Sequence, residues 1–226
     1  MLDAWGEANF VAAVGLFGGV LLGLAARLGR FCTLGAIEDF LYGGSDLRLR
    51  MWALAIGSAV VGSFGLMAFG LFDPGNSFYI AQQWSPVASI VGGGLFGYGM
   101  ALAGSCGYGA IARLGGGDLR SFVIVLVMGI SAYVTLSGPL AWIRVALFPP
   151  TPTAQVPAGI AHTIGDMSGL PVSGIGILLG ALLIVLALKA NTLRSDRSAM
   201  FWAVAVGLAA TSAWAGMQYV SDDRPK

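Results

Sequence analysis

Residues 93–111 read GGLFGYGMALAGSCGYGAI, an apolar stretch that ends in a glycine-rich cysteine motif. Residues 19–37 read GVLLGLAARLGRFCTLGAI, and at an offset of 74 positions the two stretches share eight residues. The only two cysteines of the chain fall at matching positions. After a gap of two residues, GGSDLR at 43–48 matches GGGDLR at 115–120. We interpret these matches as an internal repeat, which is frequent in membrane transporters.

The distribution of charge around this repeat predicts a membrane protein. Hydrophobic residues make up 57% of the 226 residues and charged residues 10%, whereas soluble domains carry about 25% charged residues. Charge-free stretches reach the roughly 20 residues that a helix needs to cross the hydrocarbon core. Six such spans are predicted, near 8–28, 51–71, 86–104, 121–143, 172–190 and 199–220. We therefore predict an all-α polytopic membrane protein with about six transmembrane helices.

The predicted organisation is a single membrane domain over 1–226. Its parts are repeat one at about 15–72, repeat two at about 89–144 and an additional helical hairpin at about 172–220. Each repeat contains one broken, glycine-rich, cysteine-bearing helix. Both motifs carry arginine on the same predicted side, which favours parallel repeats, and the inverted arrangement stays open. Residues 148–171, rich in proline and glycine, are expected to form an external loop on the membrane surface.

The positions of arginine and lysine predict the orientation of the chain. They concentrate between spans one and two, between three and four, and around the connection from five to six. The positive-inside rule places these loops in the cytoplasm and both termini on the opposite side. Asp3 and Glu7 stand where a cleaved signal would carry positive charge, so the first span is expected to be retained.

The glycines around Cys106 predict a broken helix. Gly104, Gly107 and Gly109 interrupt an apolar span, which is tolerated at membrane depth where the segment is buried or lines a wet cavity. The second half of this helix is expected to run from near Gly107 to near Gly115. Its N-terminus offers free N–H groups and partial positive charge, which suit an anion.

The first copy of the motif predicts a similar break, with Thr33 as a cap and Gly35 as the point of the break, after Cys32. Thiols are weak donors and soft contacts, so they favour a substrate sulfur over a hard oxyanion. A buried cysteine is often only a small hydrophobe, but its pairing across the repeat favours a binding role. No metal, cofactor or nucleic-acid partner is predicted.

Several charged or polar residues allow two interpretations. Arg113 either attracts an anion or only marks the inner face. Glu38 and Asp39 either lie at the surface or take part in an ion pair or in proton coupling. The pairs Asp46 with Arg48 and Asp118 with Arg120 are expected to cap turns, and His162, four residues before Asp166, is expected to be structural or exposed.

The motif in residues 92–121, GGGLFGYGMALAGSCGYGAIARLGGGDLRS, resembles the YeeE/YedE sulfur-transport family of inner-membrane proteins, whose characterised members take up thiosulfate. GRFCTLGAIEDFLYGGSDLR at 29–48 is similar to the family's more degenerate motif, and the resemblance covers about 15–140. It implies a multi-pass permease in the inner membrane for a small sulfur-containing anion, with a cytoplasmic sulfur-carrier protein as a partner. Longer members align three cysteines, whereas this chain has two.

We therefore predict a thiosulfate permease, not an enzyme, guided by thiols and half-helix N-termini. The predicted substrate-binding residues are Cys32, Cys106, Gly35, Gly104, Gly107, Gly109 and Arg113. One alternative is a non-transporting structural or assembly subunit of a larger membrane complex; another is a membrane enzyme that transfers sulfur through Cys106, which the lack of a nearby base disfavours. Self-association into a homo-oligomer is a further expectation.

Overall fold

The computed structural model describes residues 6–72, 85–148 and 159–222. Within these ranges the chain forms eleven α-helices and no β-strand. In chain order they are α1 (Glu7–Arg27), α2 (Thr33–Leu41), α3 (Leu47–Ala68), α4 (Pro86–Ala103), α5 (Gly107–Gly115), α6 (Leu119–Leu136), α7 (Ala141–Leu147), α8 (Ile160–Ser168), α9 (Val172–Leu188), α10 (Asn191–Ser195) and α11 (Arg197–Asp222).

The six predicted spans coincide with α1, α3, α4, α6, α9 and α11. Five helical stretches in the described part are long and apolar enough to cross a membrane, one of them being α4 together with α5, and α9 is a shorter apolar helix. The prediction of an all-α polytopic membrane protein is confirmed. It succeeds because an α-helix is the simplest structure in which a charge-free stretch of this length can pair its backbone N–H and C=O groups inside lipid.

One compact unit contains α1, α3 and α8 to α11, together with α2 from Gly35 onward. In it α3 packs against both α9 and α11, and α11 packs against α1. Glycines bring these helices close: a Cβ added at Gly57 would lie 2.8 Å from Ile184 Cγ1 and 2.9 Å from the carbonyl oxygen of Gly180. Because lipid supplies no hydrophobic drive between helices, such close backbone contact is a main source of their association.

Ion pairs connect the loops at the arginine-rich end of this unit. Arg48 pairs with Asp39 at 3.1 Å, and Arg50 pairs with Asp46 at 2.7 Å. The hydrogen bond from Arg50 holds the pKa of the Asp46 carboxyl below its ordinary value. Asp39 is therefore a partly exposed ion-pair partner, and Asp46 pairs with the arginine one turn further along α3 rather than with Arg48.

The second unit contains residues Cys32–Leu34 and the helices α4 to α7. In it α6 packs against α5 and α7. Asp118 caps α6, since its carboxylate accepts hydrogen bonds from the N–H of Arg120 and from the hydroxyl of Ser121, each at 3.0 Å. These bonds, that of Ser121 first, lower the pKa of the Asp118 carboxyl. The expected capping role of Asp118 is confirmed.

Part of the segment expected to be an external loop is helical. Residues 149–158 lie outside the described part of the chain, but α8 covers Ile160–Ser168 and packs against α9. The glycine content misled the prediction because Gly159 and Gly169 stand at the two ends of α8, where they terminate it. His162, in the first turn of α8, is buried with 9% exposure, whereas Asp166 is exposed.

Candidate functional site

The cysteine motif of the second copy breaks a helix as predicted. Helix α4 ends at Ala103, and Gly104 takes the left-handed conformation with φ at 60°. Cys106 is extended, with φ at −78° and ψ at 158°, and acts as the N-cap of α5. Helix α5 then runs over Gly107–Gly115, which confirms the predicted half-helix. Glycine adopts this left-handed conformation at little steric cost, so Gly104 favours a break at this position.

The first copy breaks at a different residue from the one predicted. Helix α1 ends at Arg27 and α2 already begins at Thr33, so Gly35 lies inside the first turn of α2. The prediction that Gly35 forms the break is wrong. Arg30, with φ at 49°, takes the left-handed conformation instead. Arg30 stands 74 residues before Gly104 and is its equivalent in the repeat. Both copies therefore turn at the same position, although only the second has a glycine there.

The two thiols meet in the second unit. Cys32 Sγ lies 3.6 Å from Cys106 Sγ, although the residues are 74 positions apart in the sequence. Neither cysteine is in a disulfide; Cys106 is 2% exposed and Cys32 is half-buried. At this distance either thiol can donate a hydrogen bond to the other. The structure thus brings the two best-matched residues of the sequence repeat into contact.

Polar groups converge around Gly109 in the first turn of α5. The N–H of Gly109 donates to Cys106 Sγ at 3.2 Å. A Cβ added at Gly109 would lie 3.4 Å from Cys106 Sγ, 3.4 Å from Ser105 Oγ and 3.6 Å from Cys32 Sγ. Because glycine has no side chain, two thiols and one hydroxyl surround the same point at hydrogen-bonding distance. This arrangement suits a small anion that accepts several weak hydrogen bonds.

The side chain of Arg113 folds back from the last turn of α5 to this loop. Its Nη2 donates to Ser105 Oγ at 2.8 Å and to the carbonyl oxygen of Gly104 at 3.4 Å. Ser105 is 4% exposed and donates to the carbonyl oxygen of Cys106 at 3.1 Å. Arg113 therefore holds its guanidinium at the loop that leads into Cys106. Sequence reasoning missed Ser105, whose position directly before the cysteine was the available signal.

An apolar cavity of about 510 Å³ reaches the same loop between α4 and α6. Its wall includes the side chains of Phe96, Met100 and Met128, and the loop contributes Ser105 and Gly107. A Cβ at Gly107 would lie 2.9 Å from Met128 Sδ, so this glycine lets Met128 pack tightly under the loop. Gly107 thus acts on packing, whereas Gly109 opens the space around the thiols.

These features define a class of protein: a multi-pass helical membrane protein with two interrupted helical segments that bring two thiols together near a guanidinium. The sequence pattern of the sulphur transport family matches residues 28–220, and the chain belongs to this family. The resemblance seen in the cysteine motifs is thereby confirmed.

Two relatives share the name thiosulfate transporter TsuA. The chain is 30% identical over 128 residues to the thiosulfate transporter TsuA of Spirochaeta thermophila. It is 31% identical over 123 residues to the thiosulfate transporter TsuA of Escherichia coli. The aligned parts cover 57% and 54% of this chain but only 37% and 34% of the relatives. The chain thus matches little more than a third of either relative.

Proposed function

We propose that this protein is a permease for a small sulfur-containing anion, and that its substrate is thiosulfate. The observation that carries the proposal is the convergence of Cys32 Sγ, Cys106 Sγ and Ser105 Oγ around Gly109. The positive end of α5 and the guanidinium of Arg113 lie at the same loop, and both favour a dianion. The names of the two relatives support thiosulfate over other sulfur anions.

Protonated thiols give this site both selectivity and easy release. Each S–H is a weak donor to an anion, and its polarizable sulfur suits the terminal sulfur of thiosulfate. Without substrate, one thiol can donate a hydrogen bond to the other across 3.6 Å. The pair therefore has a hydrogen-bond contact before the anion binds. A hydrogen bond to a charged group contributes about 1.5–3 kcal/mol. A few such bonds select the anion while still allowing it to leave.

The remaining assignments follow from the same proposal. The protein acts as a transporter rather than an enzyme, and no covalent step is needed for translocation. It lies in the inner membrane with both termini outside the cytoplasm. A homo-oligomer and a cytoplasmic sulfur-carrier protein are its proposed partners.

A second candidate function is that of a non-transporting subunit in a larger membrane complex. The specific observation in its favour is that the chain has two cysteines and matches 37% and 34% of its relatives. It predicts stoichiometric copurification with other membrane proteins.

Uptake of radiolabelled thiosulfate into proteoliposomes tests the proposal. Native protein is compared with Cys106→Ser and Cys32→Ser, because serine keeps a small donor but removes the soft sulfur. We expect uptake to fall in each variant, because the hydroxyl keeps a hydrogen-bond donor but loses the soft contact to the terminal sulfur of thiosulfate. Circular dichroism and size-exclusion chromatography control for folding. If folded native protein takes up neither thiosulfate, sulfite nor sulfide, the subunit interpretation replaces the permease.

A further inference from the structure

The thiol pair is close enough for chemistry beyond hydrogen bonding. The two sulfur atoms are 3.6 Å apart, and a disulfide bond is about 2.05 Å long. The sulfurs need to approach by roughly 1.5 Å, shared between two side chains. Both cysteines lie in interrupted segments, since Cys32 directly precedes α2 and Cys106 directly precedes α5. Neither sulfur is held inside a continuous helix, so the approach requires no helix to unwind.

We propose that Cys32 and Cys106 are a reversible redox site that reacts with a polythionate, and that the resulting disulfide closes the anion path. Tetrathionate, in which two thiosulfates are joined through a sulfur–sulfur bond, is the simplest such oxidant. It carries the same terminal sulfonate groups as thiosulfate, so the donors that bind thiosulfate also bind one half of it. The assignment of the path therefore rests on the proposed function, whereas the thiol chemistry does not.

The first step is nucleophilic attack by Cys32, the more exposed of the two thiols. Its sulfur, after losing its proton to water, attacks a central sulfur of tetrathionate. The central sulfur–sulfur bond breaks, one thiosulfate leaves, and Cys32 carries a thiosulfonate group. Exchange of this kind proceeds through a mixed intermediate and depends on a thiolate as nucleophile.

The second step is resolution by Cys106. Its sulfur lies within reach of Cys32, and the N–H of Gly109 donates to it at 3.2 Å, which stabilises negative charge on this sulfur as it attacks. Attack on the Cys32 sulfur breaks the bond to the thiosulfonate group and releases a second thiosulfate. In sum, two thiols and one tetrathionate give one disulfide, two thiosulfates and two protons. The cysteines are oxidised, and the tetrathionate is reduced.

The disulfide removes both S–H donors from the group around Gly109. The Cβ position at Gly109 lies 3.4 Å and 3.6 Å from the two sulfurs, so the bond also forms directly over the open space of the site. A site that loses both S–H donors binds the anion poorly. The thiol pair thereby couples transport to the oxidation state of the sulfur anions outside the membrane.

The test treats the purified full-length protein with tetrathionate and measures intact mass and released thiosulfate. For the native protein we expect the loss of two hydrogen atoms, two thiosulfates released per chain and recovery with dithiothreitol. For Cys32→Ser and Cys106→Ser we expect a trapped thiosulfonate adduct on any cysteine that reacts and at most one released thiosulfate. Adducts retained on both native cysteines, disulfides formed between chains, or no reaction at all would overturn the proposal.

Uptake measurements separate this proposal from the proposed function. Thiosulfate uptake by oxidised protein in proteoliposomes is expected to be at least about tenfold lower than by reduced protein, which corresponds to one lost charge-assisted hydrogen bond. Reduction is expected to restore it. If the disulfide forms but reduced protein shows no uptake, the permease assignment fails while the redox site stands. If reduced protein transports and no disulfide forms, only the redox site fails. Unchanged uptake by fully oxidised protein refutes closure of the path.

Discussion

Replacing Gly109 with alanine separates binding at the thiol site from folding. The added methyl would lie 3.4 Å from Cys106 Sγ and Ser105 Oγ and 3.6 Å from Cys32 Sγ, which are ordinary van der Waals distances. It therefore fits without displacing its neighbours. Alanine also favours a helix over glycine by about 1 kcal/mol, so we expect α5 to keep or gain stability.

The same methyl occupies the point on which the two thiols and the hydroxyl converge. An anion is then pushed away from these donors and loses at least one hydrogen bond, worth about 1.5–3 kcal/mol to a charged acceptor. That free energy corresponds to roughly a tenfold to hundredfold decrease in binding. We expect the initial rate of thiosulfate uptake at low substrate concentration to fall by at least about tenfold.

The assay is radiolabelled thiosulfate uptake in proteoliposomes, paired with thermal unfolding of the same protein in detergent. Gly115→Ala is the matched control: it lies in the same helix, and a Cβ there would meet nothing within 4 Å. We expect the control to transport like the native protein. Uptake by a stable Gly109→Ala variant within twofold of native would refute the anion site around Gly109. A lowered Tm would refute the steric premise instead.

Three further predictions test other parts of the structure. Arg113→Gln removes the guanidinium at the cysteine loop, so we expect KM for thiosulfate to rise more than kcat falls in uptake titrations; an unchanged KM contradicts anion attraction. The pKa of Asp118 is lowered, chiefly by the hydrogen bond from Ser121, so its ionised form stabilises the fold above the unfolded pKa of about 3.9, and this contribution is lost as pH falls through the folded pKa. The Tm difference between native protein and Asp118→Asn should therefore shrink as the pH is lowered from 6 to below the unfolded pKa of about 3.9, and a difference that stays constant would be inconsistent with this. Gly207→Ala places a Cβ 2.8 Å from a backbone oxygen of α3, so it should destabilise the protein by about 1–3 kcal/mol. Gly65→Ala is the control, because a Cβ there meets nothing within 4 Å. Equal Tm values for the two variants would rule out tight helix contact at Gly207.

The sequence predicted the helices and one half of the site for clear physical reasons. Charge-free stretches marked the spans, and clustered glycines at 104–109 marked the interruption before α5. The break before α2 was misplaced because a non-glycine residue, Arg30, takes the left-handed conformation. The hydrogen bonds of Ser105 were not predictable, since they depend on how far Arg113 folds back along α5.

The two copies of the motif share a backbone plan but differ in charge. Helices α2 and α5 each have nine residues and begin directly after a cysteine, at Thr33 and Gly107, which are equivalent in the repeat. At the position of Arg113 the first copy has Asp39. A carboxylate there repels an anion, and it is instead paired with Arg48.

The residue before the cysteine also differs between the two copies. At the position of Ser105 the first copy has Phe31, which is 2% exposed and lies 4.5 Å, centroid to centroid, from the ring of Trp52. An apolar ring cannot donate to an anion, whereas it anchors the chain in the first unit. The first copy thus supplies a thiol and structural anchoring, and the second supplies a thiol, a hydroxyl and the positive charge.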